Sequence, residues 1–434
     1  MRGSEFDSSE GESRCTVAVV GGGPAGVMLS YLLARAGVAV TLLESHNDFD
    51  RRFRGDSIAP SILDYLDLLG LSDPLLAAIP HTRADAFVWS TADRSYRIAD
   101  YRGTSRKYPF YALVPQGRFL PFIVDQAHRY SGFRLELGAR ASSLIREPDV
   151  ADGRVVGVGY AKQGRRHRLR ADLVVGADGR NSKIRQLSSI TATELGAELD
   201  ICWYAVPRRV GDPDSSGLGL IAEPGTILAV LGQADSWQVG YTLPAGTFPS
   251  LRARGIEPVV SALRRRLPWL DDRLDELVEV GQLSLLPVRI TKVDRWSEPG
   301  LLLIGDAAHV ISPVGGNGIN YAILDAAEAG NHLVSPLLAA QGAEQVDPSH
   351  LDAATAAVEN ARRPAVDREQ DLQRRIERAA ARRLRRGQAA PALALRLATL
   401  VPGLARALAR RSARALAVPA PSPTILAGRG ERSD

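Results

Sequence analysis

The stretch Cys15-Thr16-Val17-Ala18-Val19-Val20-Gly21-Gly22-Gly23-Pro24-Ala25-Gly26 decides the fold of this chain. Its first half reads as a buried strand, and a helical run starts at Pro24 and ends near Gly37. Between them Gly21, Gly23 and Gly26 match G-x-G-x-x-G. The first glycine permits a tight turn, the second lets backbone approach a pyrophosphate, and the third lets helix and strand pack closely. Pro24 and Ala25 complete the turn at a helix N-terminus that faces the phosphates. A second apolar run, Val38 to Leu43, ends at Glu44, at about the twenty-residue distance where a carboxylate accepts hydrogen bonds from an adenosine ribose. An acid there disfavours a 2′-phosphate.

Two further glycine-bearing segments lie far downstream, each behind a buried-strand pattern. Ala171 to Val175 runs into Gly176-Ala177-Asp178-Gly179, and Gly300 to Ile304 runs into Gly305-Asp306-Ala307-Ala308-His309. The latter leads to Pro313-Val314-Gly315-Gly316-Asn317-Gly318-Ile319-Asn320, and Ile319, Ala322, Ile323, Ala326 and Ala327 then form the stripe of a long helix. Helices are also expected over Ser61 to Leu71 and Phe119 to Tyr130, and strands over Phe133 to Leu137 and Val155 to Tyr160. From Ala86 to Ile98 and from Asp200 to Leu243 the period shortens toward two, with Trp89, Trp203, Tyr204, Trp237 and Tyr241 among β-branched residues, which reads as an antiparallel sheet.

The expected organisation is therefore α/β. A Rossmann-like nucleotide-binding unit is assembled from residues 15–85, 111–190 and 285–375, and an inserted antiparallel-sheet unit from 86–110 and 191–284. Residues 376–434 form a helical tail. Residues 1–14, rich in Ser, Glu and Asp, read as disordered or as a cloning remnant.

Bulk properties narrow the classes. A chain of 434 residues exceeds the usual single core. Its net charge of +5 comes almost wholly from arginine, with Lys107, Lys162, Lys183 and Lys292 the lysines, and no stretch interleaves basic and aromatic residues as a nucleic-acid surface would. Cys15 and Cys202 give neither a disulfide framework nor metal-ligand spacing, so no metal is expected and a reducing cytoplasm fits. The tail after Arg362 reads as C-terminal helices packed on the nucleotide-binding unit. The alternative is a basic amphipathic helix lying on an anionic membrane surface.

Taken in order, the fingerprint at Gly21, the Asp178-Gly179 segment and the Gly305-Asp306 segment resemble the three motifs of group A flavoprotein monooxygenases, over roughly Thr16 to Arg375. This is the family of para-hydroxybenzoate hydroxylase, with aromatic hydroxylases and polyketide-tailoring oxygenases among its members. Val114-Pro115-Gln116-Gly117-Arg118-Phe119-Leu120 also looks like that family's cofactor-contacting segment. The resemblance implies FAD, with Gly21, Gly23, Pro24, Ala25, Gly26, Glu44, Arg54, Gln116, Asp178, Gly305, Asp306, Gly318, Ile319 and Asn320 around it. Glu44 would hold ribose, Arg54 and Gln116 would touch FAD, Asp306 would hold the ribityl hydroxyls, and Asp178 would serve FAD and pyridine nucleotide. It further implies transient NADH or NADPH, which no second fingerprint distinguishes, then O2 addition at flavin C4a and oxygen transfer to a small or medium aromatic or polyketide-like substrate.

Pro313, Gly315 and Gly316 would line the oxygen side of the flavin. The helix starting near Gly318 would stabilise the negative charge of reduced flavin by roughly 0.3 to 2 kcal/mol. His309 reads as structural, and no base is assigned. Trp203, Trp237, Tyr241 and Tyr111 are candidates for the substrate pocket, with Trp89 and Tyr204 beside them, against the alternative that each packs a core. A halogenase is disfavoured because no W-x-W occurs and no lysine precedes Lys107. A reductase of the geranylgeranyl-reductase type and a non-catalytic flavin-binding protein remain as alternatives.

Overall fold

The computed structural model describes residues 12–50, 57–148, 153–213, 218–313, 315–342, 347–387, 401–429 and 431. Five strands run parallel in the order Phe133–Leu137, Val40–Glu44, Glu12–Val20, Arg165–Gly176 and Leu301–Leu303. Ser297–Glu298 closes one edge antiparallel, and Arg140–Glu147 and Arg154–Lys162 extend from Arg165–Gly176 as an antiparallel meander. The first strand is buried from Cys15 onward, as its unbroken apolar run requires of a central parallel strand. Helix Pro24–Arg35 packs against both Gln116–His128 and the long helix Gly318–Gly342.

A second, seven-stranded sheet joins chain segments more than a hundred residues apart. Its order is Ser284–Leu286, Leu199–Pro207, Ser236–Pro244, Thr226–Gly232, Gly219–Glu223, Ala86–Ser90 and Ser95–Asp100. One pairing departs from the antiparallel expectation: Gly219–Glu223 meets Ala86–Ser90 in parallel, with Leu220 opposite Trp89. Helices Phe248–Arg254 and Glu257–Arg266 cover one face, where Cys202, Val206, Leu228, Val230, Trp237 and Val239 meet Leu251, Val259 and Leu263.

Two expectations need correction. Residues 12–14 are strand, with Glu12, Ser13 and Arg14 in register with Arg168, Leu169 and Arg170, because the parallel neighbour is long enough to pair them. The boundary at 375/376 falls inside one continuous helix, Pro348–Arg385, whose buried face continues through Glu377, Ala381 and Leu384. The tail then packs on the chain itself. Helix Leu404–Ala415 docks on strand Ser95–Asp100, and Arg35 donates from Nε to the Ile425 carbonyl at 2.8 Å. Arg406, Arg410, Arg411 and Arg414 stay exposed on that helix.

Candidate functional site

The three glycine-bearing segments leave the carboxyl ends of adjacent parallel strands, where ligands of open α/β sheets bind. Gly21 N–H donates to the Leu43 carbonyl at 2.8 Å, Ala177 N–H to Val20 at 2.7 Å, and Ile304 N–H to Gly176 at 3.0 Å. Gly21 has φ +109°, and a Cβ there would collide with the backbone of Ala177 and Asp178. One at Gly26 would collide with the Gly21 carbonyl, so only glycine lets the helix start this close to the turn. Gly23 is the N-cap of the helix and Pro24 its first residue, with no side chain capping the free N–H groups. That cradle fits a pyrophosphate. Gly305, at φ +60°, brings the third segment onto the same helix, its Cβ position 3.0 Å from Ala25.

Glu44 is 2% exposed at the end of its strand. It accepts Gly22 N–H at 2.7 Å on Oε2, and His46 N–H at 2.9 Å and Nδ1 at 2.7 Å on Oε1. The His46 side chain is largely exposed, so it can turn away and yield Oε1 to a ribose hydroxyl.

Asp178 is committed to a local task. It accepts the N–H groups of Lys183 and Ile184 at 2.6 and 3.0 Å and the Ser182 hydroxyl, and so caps the short helix Lys183–Leu187. Burial raises its pKa against the pull of those bonds. Asp306 meets Arg180 Nε at 3.2 Å, and Arg185 donates to the Ala307 carbonyl at 2.7 Å, which locks the second and third segments together.

Behind them lies a buried ionic hub that sequence reading missed. Asp325, with no exposed surface, accepts Gly305 N–H at 2.9 Å, His309 Nε2 at 2.6 Å and Arg362 Nε at 2.8 Å. Burial alone would raise its pKa, but His309 and Arg362 outweigh it and hold the carboxyl below the usual range. His309 also lies against Trp296, ring centroids 4.9 Å apart. Its place in this hub is structural. An aspartate two turns into an apolar helix was the available signal.

The loop from Pro313 is a chain of turns. Gly315 and Gly316 have φ of +94° and +68°, and Gly316 N–H returns to the Pro313 carbonyl at 2.9 Å. Ser57 Oγ donates to the Gly316 carbonyl at 2.8 Å. Asn320, expected at the cofactor, spends its side chain on backbone: Nδ2 donates to Ser57 at 3.0 Å and Oδ1 accepts from Ala59 at 2.9 Å. Ile319 is buried beside it, while the Cβ side of Gly318 faces open space. Ser57–Ile58 pairs with Tyr111–Leu113, and buried Gln116 opens the helix that follows. Arg54 lies outside the described residues.

The aromatic candidates separate. Trp237 and Tyr241 point to the helix-covered face of the second sheet, as does Tyr204. Trp237 is a core residue there, its indole N–H 2.9 Å from Asp212, its ring 4.7 Å from Trp269 and 4.6 Å from the Arg208 guanidinium. Strand alternation keeps these residues on the face that helices Phe248–Arg254 and Glu257–Arg266 cover. Tyr111 is buried against Tyr101 and hydrogen-bonds Ser412 of the tail, and burial pushes its pKa up to about 12. Trp203 stands on the opposite face with Ile201, Ala229 and Leu231, its ring 3.1 Å from where a Gly240 Cβ would be. Its indole N–H is buried with no hydrogen-bond partner, as is that of Trp89.

A family model described as FAD binding domain matches residues 14–368. Over 316 residues, 72% of this chain and 73% of the relative, the sequence is 34% identical to 6-methylpretetramide 4-monooxygenase of Streptomyces rimosus. Protoasukamycin 4-monooxygenase of Streptomyces nodosus subsp. asukaensis is 29% identical over 380 residues, 82% of this chain and 86% of that one. The structure of PqsL, a probable FAD-dependent monooxygenase of Pseudomonas aeruginosa, matches with a TM-score of 0.68 at 20% identity, over 86% of this chain and 97% of that chain. The chain belongs to the FAD-binding-domain family of flavin-dependent monooxygenases. It is an oxidoreductase with FAD as cofactor, of a class that draws electrons from NAD(P)H.

Proposed function

We propose that this enzyme uses NAD(P)H and O2 to hydroxylate a small or medium aromatic or polyketide-like compound. The observation that carries the reading is the convergence of the fingerprint turn and the Gly305-Asp306 segment on the start of one helix and the ends of three adjacent strands, with Gly316 of the following loop tied to Ser57. Two relatives, named for monooxygenation of 6-methylpretetramide and of protoasukamycin, support the substrate class.

When bound, FAD supplies the activation of oxygen. The protein supplies placement and charge. The N–H groups after Gly23 would hold the pyrophosphate, Glu44 the ribose, and Asp306 the ribityl hydroxyls. Backbone N–H groups at Gly318 and Ile319, at the start of their helix, would offset negative charge on a bound flavin. Pro313 and the Trp203 face of the second sheet would bound the substrate space, and the indole N–H, buried here without a partner, would serve a substrate oxygen. Asp178 acts through the helix it caps.

Anaerobic reduction of the FAD-loaded protein by NADH and by NADPH, with a panel of monocyclic and polycyclic phenols, tests this. One phenol should accelerate flavin bleaching and gain one oxygen atom when air is admitted. Reduction indifferent to every phenol, with no oxygenated product, favours a reductase.

A further inference from the structure

Helix Pro348–Arg385 lays a polar stripe against the glycine loop. Gln370, Gln373 and Glu377, spaced three and four residues apart on one helix face, are each no more than 2% exposed, where a core-facing helix ordinarily places apolar residues. Gln370 donates to the carbonyls of Thr291 and Val310 at 2.8 and 3.0 Å. Gln373 accepts Ser312 N–H at 2.7 Å and donates to Glu369 at 2.8 Å, and Glu369 in turn hydrogen-bonds Tyr321 and Asn317. Glu377 reaches furthest. Its Oε1 meets the hydroxyl of Ser312, the residue before Pro313, and its Oε2 accepts the backbone N–H of Glu198 at 3.3 Å. Glu198 immediately precedes strand Leu199–Pro207, on which Leu199, Ile201 and Trp203 share a face. Leu199 packs there on Ala381 and Leu384 of the same helix.

We propose that Glu377 is a positioning residue that couples the second sheet to the loop carrying Pro313, so that a shift of strand Leu199–Pro207 moves the loop. The proposal rests on the reading of that loop as the flavin side of the site. One carboxyl group grips both partners. Burial holds the Glu377 carboxyl above the usual glutamate range, opposed by the Ser312 hydroxyl and the Glu198 N–H. The groups facing it are Ser312 from the loop, Gln373 from its own helix and Glu198 from just before the strand, the last held by Arg385 at 3.3 Å. The two bonds favour the ionised carboxylate, but burial outweighs them, so the closed arrangement around Glu377 is most favoured at low pH and becomes easier to open as pH rises through the raised value.

The test is hydrogen exchange on the full chain, corrected for intrinsic rates, across pH, with and without saturating FAD, for wild type, Glu377→Gln and Ser312→Ala. Peptides covering 309–321 and 198–207 should lose protection together as pH rises in the wild type, on the order of tenfold. Glu377→Gln retains a donor for Ser312 and an acceptor for Glu198, so its protection should be flat with pH. Ser312→Ala should free the loop from the pH dependence that the strand keeps. A Glu377→Gln profile matching wild type, or a Ser312→Ala loop that still follows the strand, overturns the proposal. Flavin fluorescence titration of the same samples reports cofactor binding separately, so a failure to bind FAD would refute the flavin reading and leave the coupling result standing.

Discussion

Arg362 Nε stands 2.8 Å from Asp325 Oδ1, both side chains buried, and joins the long C-terminal helix to the aspartate that holds Gly305. Breaking such a pair leaves an uncompensated charge and costs about 3–5 kcal/mol. Arg362→Leu should therefore lower the melting temperature steeply, and Asp325→Asn should do so while stranding both His309 and Arg362.

The pH dependence follows from the same pair. Asp325 has a folded-state pKa below its unfolded value, so its contribution is present above the ordinary aspartate range and lost as pH falls through the lowered value. Acid unfolding of the wild type should carry a component absent from Asp325→Asn. Denaturation midpoints measured from neutral pH downward check this.

Two glycines with opposite surroundings separate fold from cofactor. Gly26→Ala drives a methyl into the Gly21 carbonyl, and should lose FAD binding by at least about tenfold together with stability. Gly318→Ala places its methyl in open space at a helix start, and should leave or slightly raise stability, by about 0.5–1 kcal/mol. If the flavin ring lies against that residue, the same variant should still bind and reduce FAD poorly. Equilibrium dialysis and thermal melts on both variants report the contrast.

The two tryptophans should behave differently. Trp237→Phe removes the bond to Asp212 and packing on Trp269, so stability should fall by about 1–3 kcal/mol with substrate response unchanged. Trp203→Phe keeps an aromatic wall and loses the unpartnered N–H. Its stability should hold while the phenol concentration that half-accelerates flavin reduction rises, a split read from reduction rates against phenol concentration.

The nucleotide-binding half was legible because its signals are local. Gly21 and Gly26 are glycines for steric reasons that a single spacing encodes, and parallel strands carry long apolar runs. Asp325, Arg362, Gln373 and Glu377 were not legible as a network, because they lie on two helices whose packing only the tertiary fold defines. The faces of the second sheet were ambiguous for a related reason. Alternation along Leu199–Pro207 shows that Cys202 and Trp203 point oppositely, but not which side helices Phe248–Arg254 and Glu257–Arg266 cover. The local tasks of Asp178 and Asn320 were not legible either, since capping and backbone clamping use the same side-chain atoms as ligand binding.

The most direct test of monooxygenase chemistry is the fate of isotopically labelled dioxygen given to the FAD-loaded protein with NAD(P)H and the phenol that accelerates flavin reduction. One labelled oxygen atom in the product, with the nicotinamide consumed in equal amount, is the predicted result. Full consumption of nicotinamide with the label recovered only as hydrogen peroxide, across the phenol panel, would contradict it.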